Sequence, residues 1–396
     1  MTEKKTIEKK ECCGCTACVH ICPVKCITMQ EDEEGFLYPV IEGEKCIHCH
    51  KCVGVCPVRN TKQINTKTET FVGYSTDEEI RKQSSSGGIF SVVAEWIIQQ
   101  KGVVFGAAFD DNFEVHHIAI ETKAELEKLR GSKYVQSRLE NVYLEVKQYL
   151  EMKRIVLFTG TACQIAGLKN YLNTEDENLY TIDVLCHGVP SPKIWRMYLD
   201  EKQKQYHSSI EKCEFRNKEN GWKKYFINIL FSDKQQYMVR YFEDDFMGMF
   251  LGNIDLRPSC HACHFKGFPR ISDMTIGDCW GIENHMPDMD DDKGTSVIMV
   301  HSSNGKRMLE GVRGNLRLRE ANLDTVLPPT ADSRKSVEMH PNRRKYWEDV
   351  KNGESFENLC RYVQKNFMQK VLSLLRYVVL GFTSKSRKSI RKNRRQ

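Results

Sequence analysis

The sequence predicts a small α+β unit at the N-terminus followed by a larger α/β module. Three observations predict it. A cysteine motif recurs once with every spacing kept, a strand–turn–helix rhythm takes over in the middle of the chain, and a polar stretch separates the two. At 396 residues, 40% of them hydrophobic and 10% aromatic, the chain has material for two or three domains with a substantial core. A mean hydropathy of −0.52 argues against an integral membrane protein.

The repeat comes first. Cys12, Cys15, Cys18, Cys22 and Pro23 return as Cys46, Cys49, Cys52, Cys56 and Pro57, each 34 residues on. Each copy spells C-x-x-C-x-x-C-x-x-x-C-P. Three closely spaced thiolates wrap one face of a cubane iron–sulfur cluster. The fourth lies a helical turn onward, too far to close the same site, and in two-cluster proteins it ligates the other cluster. Paired zinc knuckles are the alternative, but a zinc site closes with four ligands and rarely needs three plus one. The segment resembles bacterial-type ferredoxin domains with two 4Fe–4S clusters. The resemblance implies one ligand set of Cys12, Cys15, Cys18 and Cys56 and another of Cys46, Cys49, Cys52 and Cys22. Cys13 and Cys26 are left over and read as non-ligands, since a buried cysteine behaves as a small hydrophobe. FLYPVI, between the copies, reads as a strand.

The compartment agrees. The opening MTEKKTIEKK has no apolar segment, so no secretory signal is read and a reducing cytoplasm is expected. Seventeen cysteines there point to metal or redox chemistry, not disulfides. The net charge of +6 is concentrated at the C-terminus: residues 361–396 hold eleven Lys or Arg and no acid, so the body is mildly acidic and nucleic-acid binding is not supported. Apolar residues between Phe367 and Leu380 are interrupted by Lys370 and Arg376, far short of the roughly 20 residues of a membrane span. This tail reads either as an amphipathic helix with a basic end at an anionic membrane surface, placing the protein peripherally on the inner membrane face, or as a helix packed on the body.

After the polar stretch RNTKQINTKTET, FVGYS reads as a strand and IFSVVAEWIIQQ as a helix, with serines available to cap it. VVFGAAF and EVHHIAI read as strands, with helical patterns near 123–130 and 139–153. RIVLFTG then leads into TACQIAGLKNYL, and LYTIDVLCHG into SPKIWRMYLDEKQKQY. This alternation predicts a parallel sheet. CEFRNK, YFINILF and TSVIMVHS read as later strands, and SCHACHFKGFPRISDMTIGDCWG as a loop-rich segment.

Two sets of residues suggest chemistry beyond the repeat. QSSSGGIF sits at a strand–helix junction, where hydroxyls and glycine amides at a helix N-terminus make either an anion site or an ordinary cap. GSKYVQS offers Lys133 and Tyr134 as cofactor contacts, or is a solvated loop. Cys163 follows one predicted strand and Cys186 ends the next, so a parallel sheet would bring both to the edge where ligands bind. Cys260 and Cys263 form a C-x-x-C. Four thiolates suffice for a third 4Fe–4S cluster. Zinc with His261 or His264, a reduced pair, and a reactive thiolate at Cys163 stay open. Cys213, Cys279 and Cys360 read as packing residues. His187 is a proton donor or, more simply, a packed histidine.

The ordered set QSSSGG, GSKYVQS, GTACQIAGL, LCHGVPSP, C-x-x-C and DMTIGDCWGI is similar to the beta-subunit family of coenzyme F-420 hydrogenases and dehydrogenases, over about residues 1–330. The resemblance implies an α+β ferredoxin-like two-cluster domain at 1–60, a linker at 61–70 and an α/β flavin-binding oxidoreductase module. The module's parts would span 71–153 and 154–330, with a helical region and basic tail at 331–396. It implies FAD held near Ser85, Ser86, Gly87, Gly88, Lys133, Thr161, Asp278 and Trp280, and a third cluster on Cys163, Cys186, Cys260 and Cys263. Ala162 stands where many members are expected to have proline. The fused dicluster and basic tail look more like a bacterial branch that accompanies polysaccharide synthesis than like archaeal users of F-420. The function implied is electron transfer from a soluble ferredoxin-type donor through the clusters to FAD and an organic acceptor. The alternatives are a relay protein serving a partner enzyme, an F-420 oxidoreductase, and a metal-containing scaffold.

Overall fold

The computed structural model describes residues 7–61 and 67–364, so the tail read as a membrane or packing helix lies, from 365 on, outside the described residues. Strands run in order β1 (Ile27–Glu31), β2 (Leu37–Ile41), β3 (Glu69–Ser75), β4 (Val103–Phe109), β5 (Val115–Ile120), β6 (Val156–Gly160), β7 (Leu179–Val184), β8 (Ile210–Asn217), β9 (Phe226–Phe231), β10 (Gln236–Arg240), β11 (Met274–Asp278), β12 (Ser296–Val300) and β13 (Leu316–Glu320). The helices needed below are α1 (Ala17–His20), α2 (Lys51–Gly54), α3 (Ile89–Gln99), α4 (Ala162–Leu172) and α5 (Pro192–Tyr206).

The sequence repeat is also a backbone repeat. Thr16 and His50, 34 residues apart, both take the left-handed conformation (φ 61° and 57°) just before α1 and α2. Gly14 and His48 do the same (φ 71° and 56°). The turns close with matching hydrogen bonds: Val19 N to Thr16 O and Cys22 N to Val19 O, then Val53 N to His50 O and Cys56 N to Val53 O. β1 and β2 form an antiparallel hairpin between the copies.

The module is a mixed α/β fold around an eight-stranded sheet of order β13-β3-β12-β11-β7-β6-β4-β5. The expected parallel sheet holds only for β4, β6, β7 and β11. Parallel neighbours need a crossover connection: the helix Val142–Glu151 lies in the one from β4 to β6, α4 in the one from β6 to β7, and α5 in the longer one from β7 to β11. β5, β12, β3 and β13 join antiparallel. β11 lies in the stretch read as loop-rich. It is a five-residue strand carrying Thr275 and Gly277, too short and polar to show a period, and pairing on both sides fixes it.

Both faces of the sheet are covered. Leu157 of β6 faces α3 and the helix Ser303–Val312. Val156 and Phe158 face α4, the helix Val142–Glu151 and the N-terminal segment through Cys15, Ala17 and Val55. A second core joins α5, the small sheet β10-β9-β8 and the helices Arg343–Lys351 and Phe356–Leu359, and it takes in Cys12, Phe36 and Tyr38. The N-terminal segment therefore shares cores with the module on two sides.

Asp183 at the end of β7 is fully buried. It accepts from Ser272 Oγ (2.7 Å) and Thr275 Oγ1 and pairs with Arg270, whose side chain is also buried. This network anchors the segment between the C-x-x-C and β11. Removing one partner strands a buried charge, so Asp183→Ala should cost about 3–5 kcal/mol, read by chemical denaturation of anaerobically purified protein.

Candidate functional site

Within the N-terminal segment the thiols interact across the repeat. Burial, followed by the charges of Cys12, Cys56 and Cys52, pushes the Cys18 thiol up to about 12. Cys22 Sγ lies 3.5 Å from Cys26 Sγ, and Cys26 in turn contacts Cys46. Cys18 thus has Cys52 and Cys56 of the other copy near it, and Cys26 lies between Cys22 and Cys46. Cys12 and Cys15 are buried, whereas Cys49 is exposed beside Ile47, itself 61% exposed. One end of the segment faces the module and the other faces solvent.

Cys163, Cys186, Cys260 and Cys263 line one cavity, together with Cys13. Cys163 is the second residue of α4, which Thr161 caps in a box with Gln164. Cys186 follows β7 by two residues. Cys260 and Cys263 come from a short 3-10 turn and its end. Burial, then Cys260, Cys163 and Cys263, raises Cys186 well above an ordinary thiol. Burial likewise pushes Cys260 up to about 12. Cys163 is raised first by its hydrogen bond with Cys13 and then by burial, opposite in sign to a reactive helix-terminal thiolate.

Of the cations lining the cage, Arg270 pairs with Asp183, whereas Arg257 and Lys266 bond carbonyls and an amide. Arg257, fully buried, donates to Cys12 O (2.7 Å), Gln136 Oε1 (2.8 Å) and Leu37 O (3.0 Å). Lys266 caps His187 O and Asp332 O. An anionic cluster would balance these charges, so the donor set and its surroundings fit the group. Among the described residues no three His, Cys, Asp or Glu converge closely enough for a single metal ion. His187 lines the cage, but its Nε2 is engaged with Asn253 Oδ1 (2.6 Å) and its ring packs edge-on against Phe250. His261 Nδ1 is engaged with Val337 O.

The flavin candidates divide. Ser85, Ser86, Gly87, Asp278 and Trp280 come together. Ser85 Oγ accepts from Ser132 N and Oγ (2.8 and 3.0 Å), Ser86 Oγ donates to Thr295 O, and Gly87 N donates to Ser296 Oγ. The serines do not cap α3: Gly88 does, at φ 86°, without a side-chain bond. Lys133 lies one residue from Ser132, half-buried, its ammonium lowered to about 7 by desolvation, with Nζ on the carbonyls of Leu129, Arg130 and Gly131. Thr161 stands apart, at the thiol cage.

Sequence reasoning missed the residues that organise this second cluster. Arg216 is buried, pairs with both oxygens of Asp278 (2.8 and 3.0 Å), donates to Ser85 O and Tyr134 OH, and lies over Tyr225 and Trp280. Lys218 Nζ reaches the carbonyls of Arg81, Ser86 and Lys293. Trp222 bonds Asp278 (2.7 Å) and stacks on Trp280 at 4.5 Å. The available signal was two cations at alternate positions of CEFRNK, which share one face of a strand. A cavity of about 360 Å³ opens elsewhere, between the N-terminal segment and the module, and none of these candidates lines it.

Comparison with known proteins decides the family. The family of the coenzyme F420 hydrogenase/dehydrogenase beta chain is described by two models. The one for its N-terminal part matches residues 70–143 and the one for its C-terminal part matches 153–325, together more than half of the chain. The chain belongs to this beta-subunit family. A 4Fe-4S dicluster domain matches residues 11–60. The chain is therefore an iron–sulfur protein of a hydrogenase/dehydrogenase family. A search of curated proteins finds no match. Among solved structures, a chain of the F420-reducing [NiFe] hydrogenase complex from Methanosarcina barkeri is similar at 17% identity and a TM-score of 0.47, covering 73% of this chain and 91% of that one. Among the described residues no helix is long and apolar enough to cross a membrane.

Because thiolates are the nucleophiles, the raised thiols should be slow. In metal-free protein at pH 8, iodoacetamide should modify exposed Cys49 well before Cys186 and Cys260, and the difference should narrow as pH rises toward 12. Peptide mass mapping checks this.

Proposed function

We propose that the chain is an iron–sulfur flavoprotein oxidoreductase that takes electrons from a soluble ferredoxin-type donor and passes them to an organic acceptor. The clusters move single electrons, and a bound FAD pairs them for two-electron chemistry. The single observation that carries the reading is the cage of Cys163, Cys186, Cys260 and Cys263 set directly behind the dicluster segment. A relay serving one partner protein would need no further cluster buried inside the module.

In this reading Cys12, Cys15, Cys18 and Cys56 hold the inner cluster of the segment, and Cys46, Cys49, Cys52 and Cys22 the outer one. The solvent-facing end around Cys49 and Ile47 receives the donor protein. Cys163, Cys186, Cys260 and Cys263 hold the third cluster, with Arg257 and Lys266 as its counter-charge. The loop of Ser85, Ser86, Gly87 and Gly88 lies against the flavin, with Arg216 and Lys218 bound to its carbonyls. Trp280, 46% exposed and stacked on Trp222, offers a ring face at the same place. His187, held by Asn253, positions Cys186 and is not assigned proton transfer.

Iron and flavin analysis of anaerobically purified protein tests the reading: three clusters and one FAD give about twelve iron atoms and one flavin per chain. Cys186→Ser should remove about four of those irons and leave about eight. A wild-type chain with about eight irons and no flavin would sink the proposal. Arg216→Met should weaken FAD binding about tenfold or more at unchanged iron content, as read by fluorescence titration of the flavin-free protein.

A further inference from the structure

The N-terminal segment separates its charges. Four consecutive acids, Glu31, Asp32, Glu33 and Glu34, sit at the tip of the β1–β2 hairpin. That tip is engaged with the module. Glu31 pairs with Arg196 at 2.6 Å, Glu34 accepts from both ends of the Arg343 guanidinium (3.0 and 2.5 Å), and Glu33 O accepts from Lys193 Nζ (3.0 Å). Asp32 pairs within the segment, with Lys9 at 2.8 Å.

The loops at the other end carry the opposite sign. Residues 22–26 and 42–61 hold four bases, Lys25, Lys45, Lys51 and Arg59, against two acids, Glu42 and Glu44, and all six side chains are exposed. Lys45 pairs with Glu42 at 2.9 Å, whereas Lys25, Lys51 and Arg59 have no ion pair among the described residues. Cys26 lies between Cys22 and Cys46, so the loop of Lys25 borders the second copy of the motif. Asn60 O accepts from Asn170 of α4, which places Arg59 at the rim beside the module. Between these cations stand Ile47, 61% exposed, exposed Cys49 and, beside Lys25, Val24 at 36%. An apolar centre inside a charged rim is how protein interfaces are built, and unneutralised charge at the rim steers partners of opposite sign.

We propose that this end is the docking face for an acidic electron-carrier protein. Ile47 and Val24 meet the carrier at its redox centre, and Lys25 and Lys51 face carboxylates around that centre. The proposal rests on the donor reading above and adds the partner's charge. The carrier loses one electron and the segment gains it; no bond or proton moves. The sign of the face argues against two other occupants. Residues 361–396 hold eleven cations and no acid, so they are repelled by it. A second copy meeting this face with its own would set lysine against lysine.

The test uses the full chain, purified anaerobically, as wild type, Lys25→Glu/Lys51→Glu, Lys25→Gln/Lys51→Gln, and Lys204→Glu as a control on an exposed charge of α5. The probes are a reduced acidic ferredoxin and the same ferredoxin with its carboxylates amidated. Stopped flow gives the second-order rate constant for reduction of the chain, and iron content, expected to be equal in all four, reports on folding. With the acidic probe the constant should fall about tenfold or more between low and physiological salt. At low salt it should fall by a similar factor in the Glu pair, less in the Gln pair, and stay unchanged in Lys204→Glu. The amidated probe should be slow and indifferent to salt. Equal rates for wild type and the Glu pair at equal iron content, or faster reduction by the amidated probe, would overturn the proposal. So would a dimer that the Glu pair dissociates, anionic vesicles that retain wild type and release the Glu pair, or faster, salt-independent reduction after truncation at Gln364. These would give the face to a second copy, a membrane or the C-terminal residues. A chain that dithionite reduces and neither probe does would overturn the donor reading itself.

Discussion

The guanidinium of Arg257 is fully buried, and its hydrogen bonds go to two carbonyls and an amide, none to a carboxylate. A bare buried cation is costly. Burial works against its charge, and the neighbouring side chains of Cys12, Tyr38, Cys13 and Cys260 work for it. Arg257 stands three residues before Cys260 and grips the loop that carries Cys12. One side chain therefore ties the dicluster segment to the loop that carries the cage cysteines. Its guanidinium also lies over the Tyr38 ring at 4.2 Å.

The repeat was legible in the sequence because cluster ligation fixes both residue type and spacing, and the backbone follows, down to the left-handed Thr16 and His50. The elements α3, α4, α5 and most sheet strands were legible because their apolar periods reflect one or two buried faces. The juxtaposition of Cys163 with Cys186 was anticipated from adjacent parallel strands, and β6 and β7 are adjacent and parallel. The short strand β11 and the antiparallel half of the sheet were not legible, since pairing across long sequence distances leaves no local mark. The roles of Arg216, Lys218 and Trp222 were hidden for a related reason. They lie more than 120 residues from Ser85 and act by reaching back to its loop. The serines misled in the opposite way. Local composition favoured a cap, but tertiary partners at Ser132 and Thr295 claim their hydroxyls.

The N-terminal segment is polar in a functional sense. Its inner end lies in two hydrophobic cores at once, through Cys15, Ala17 and Val55 on one side and Cys12, Phe36 and Tyr38 on the other. Its outer end has no core of its own, and Cys49 and Ile47 face water. The module thus shields one copy of the motif and leaves its twin accessible.

Gly14 and His48 occupy equivalent places in the two copies, both with positive φ. The left-handed backbone does not itself demand glycine, since histidine manages at 48. What demands it at 14 is the crowding by Gln136 and Arg257. The two copies of the motif differ at the position where one of them has a close neighbour. A glycine in the first copy set against a bulkier residue in the second is the mark of the half that became built into the module, written in a position that touches no metal.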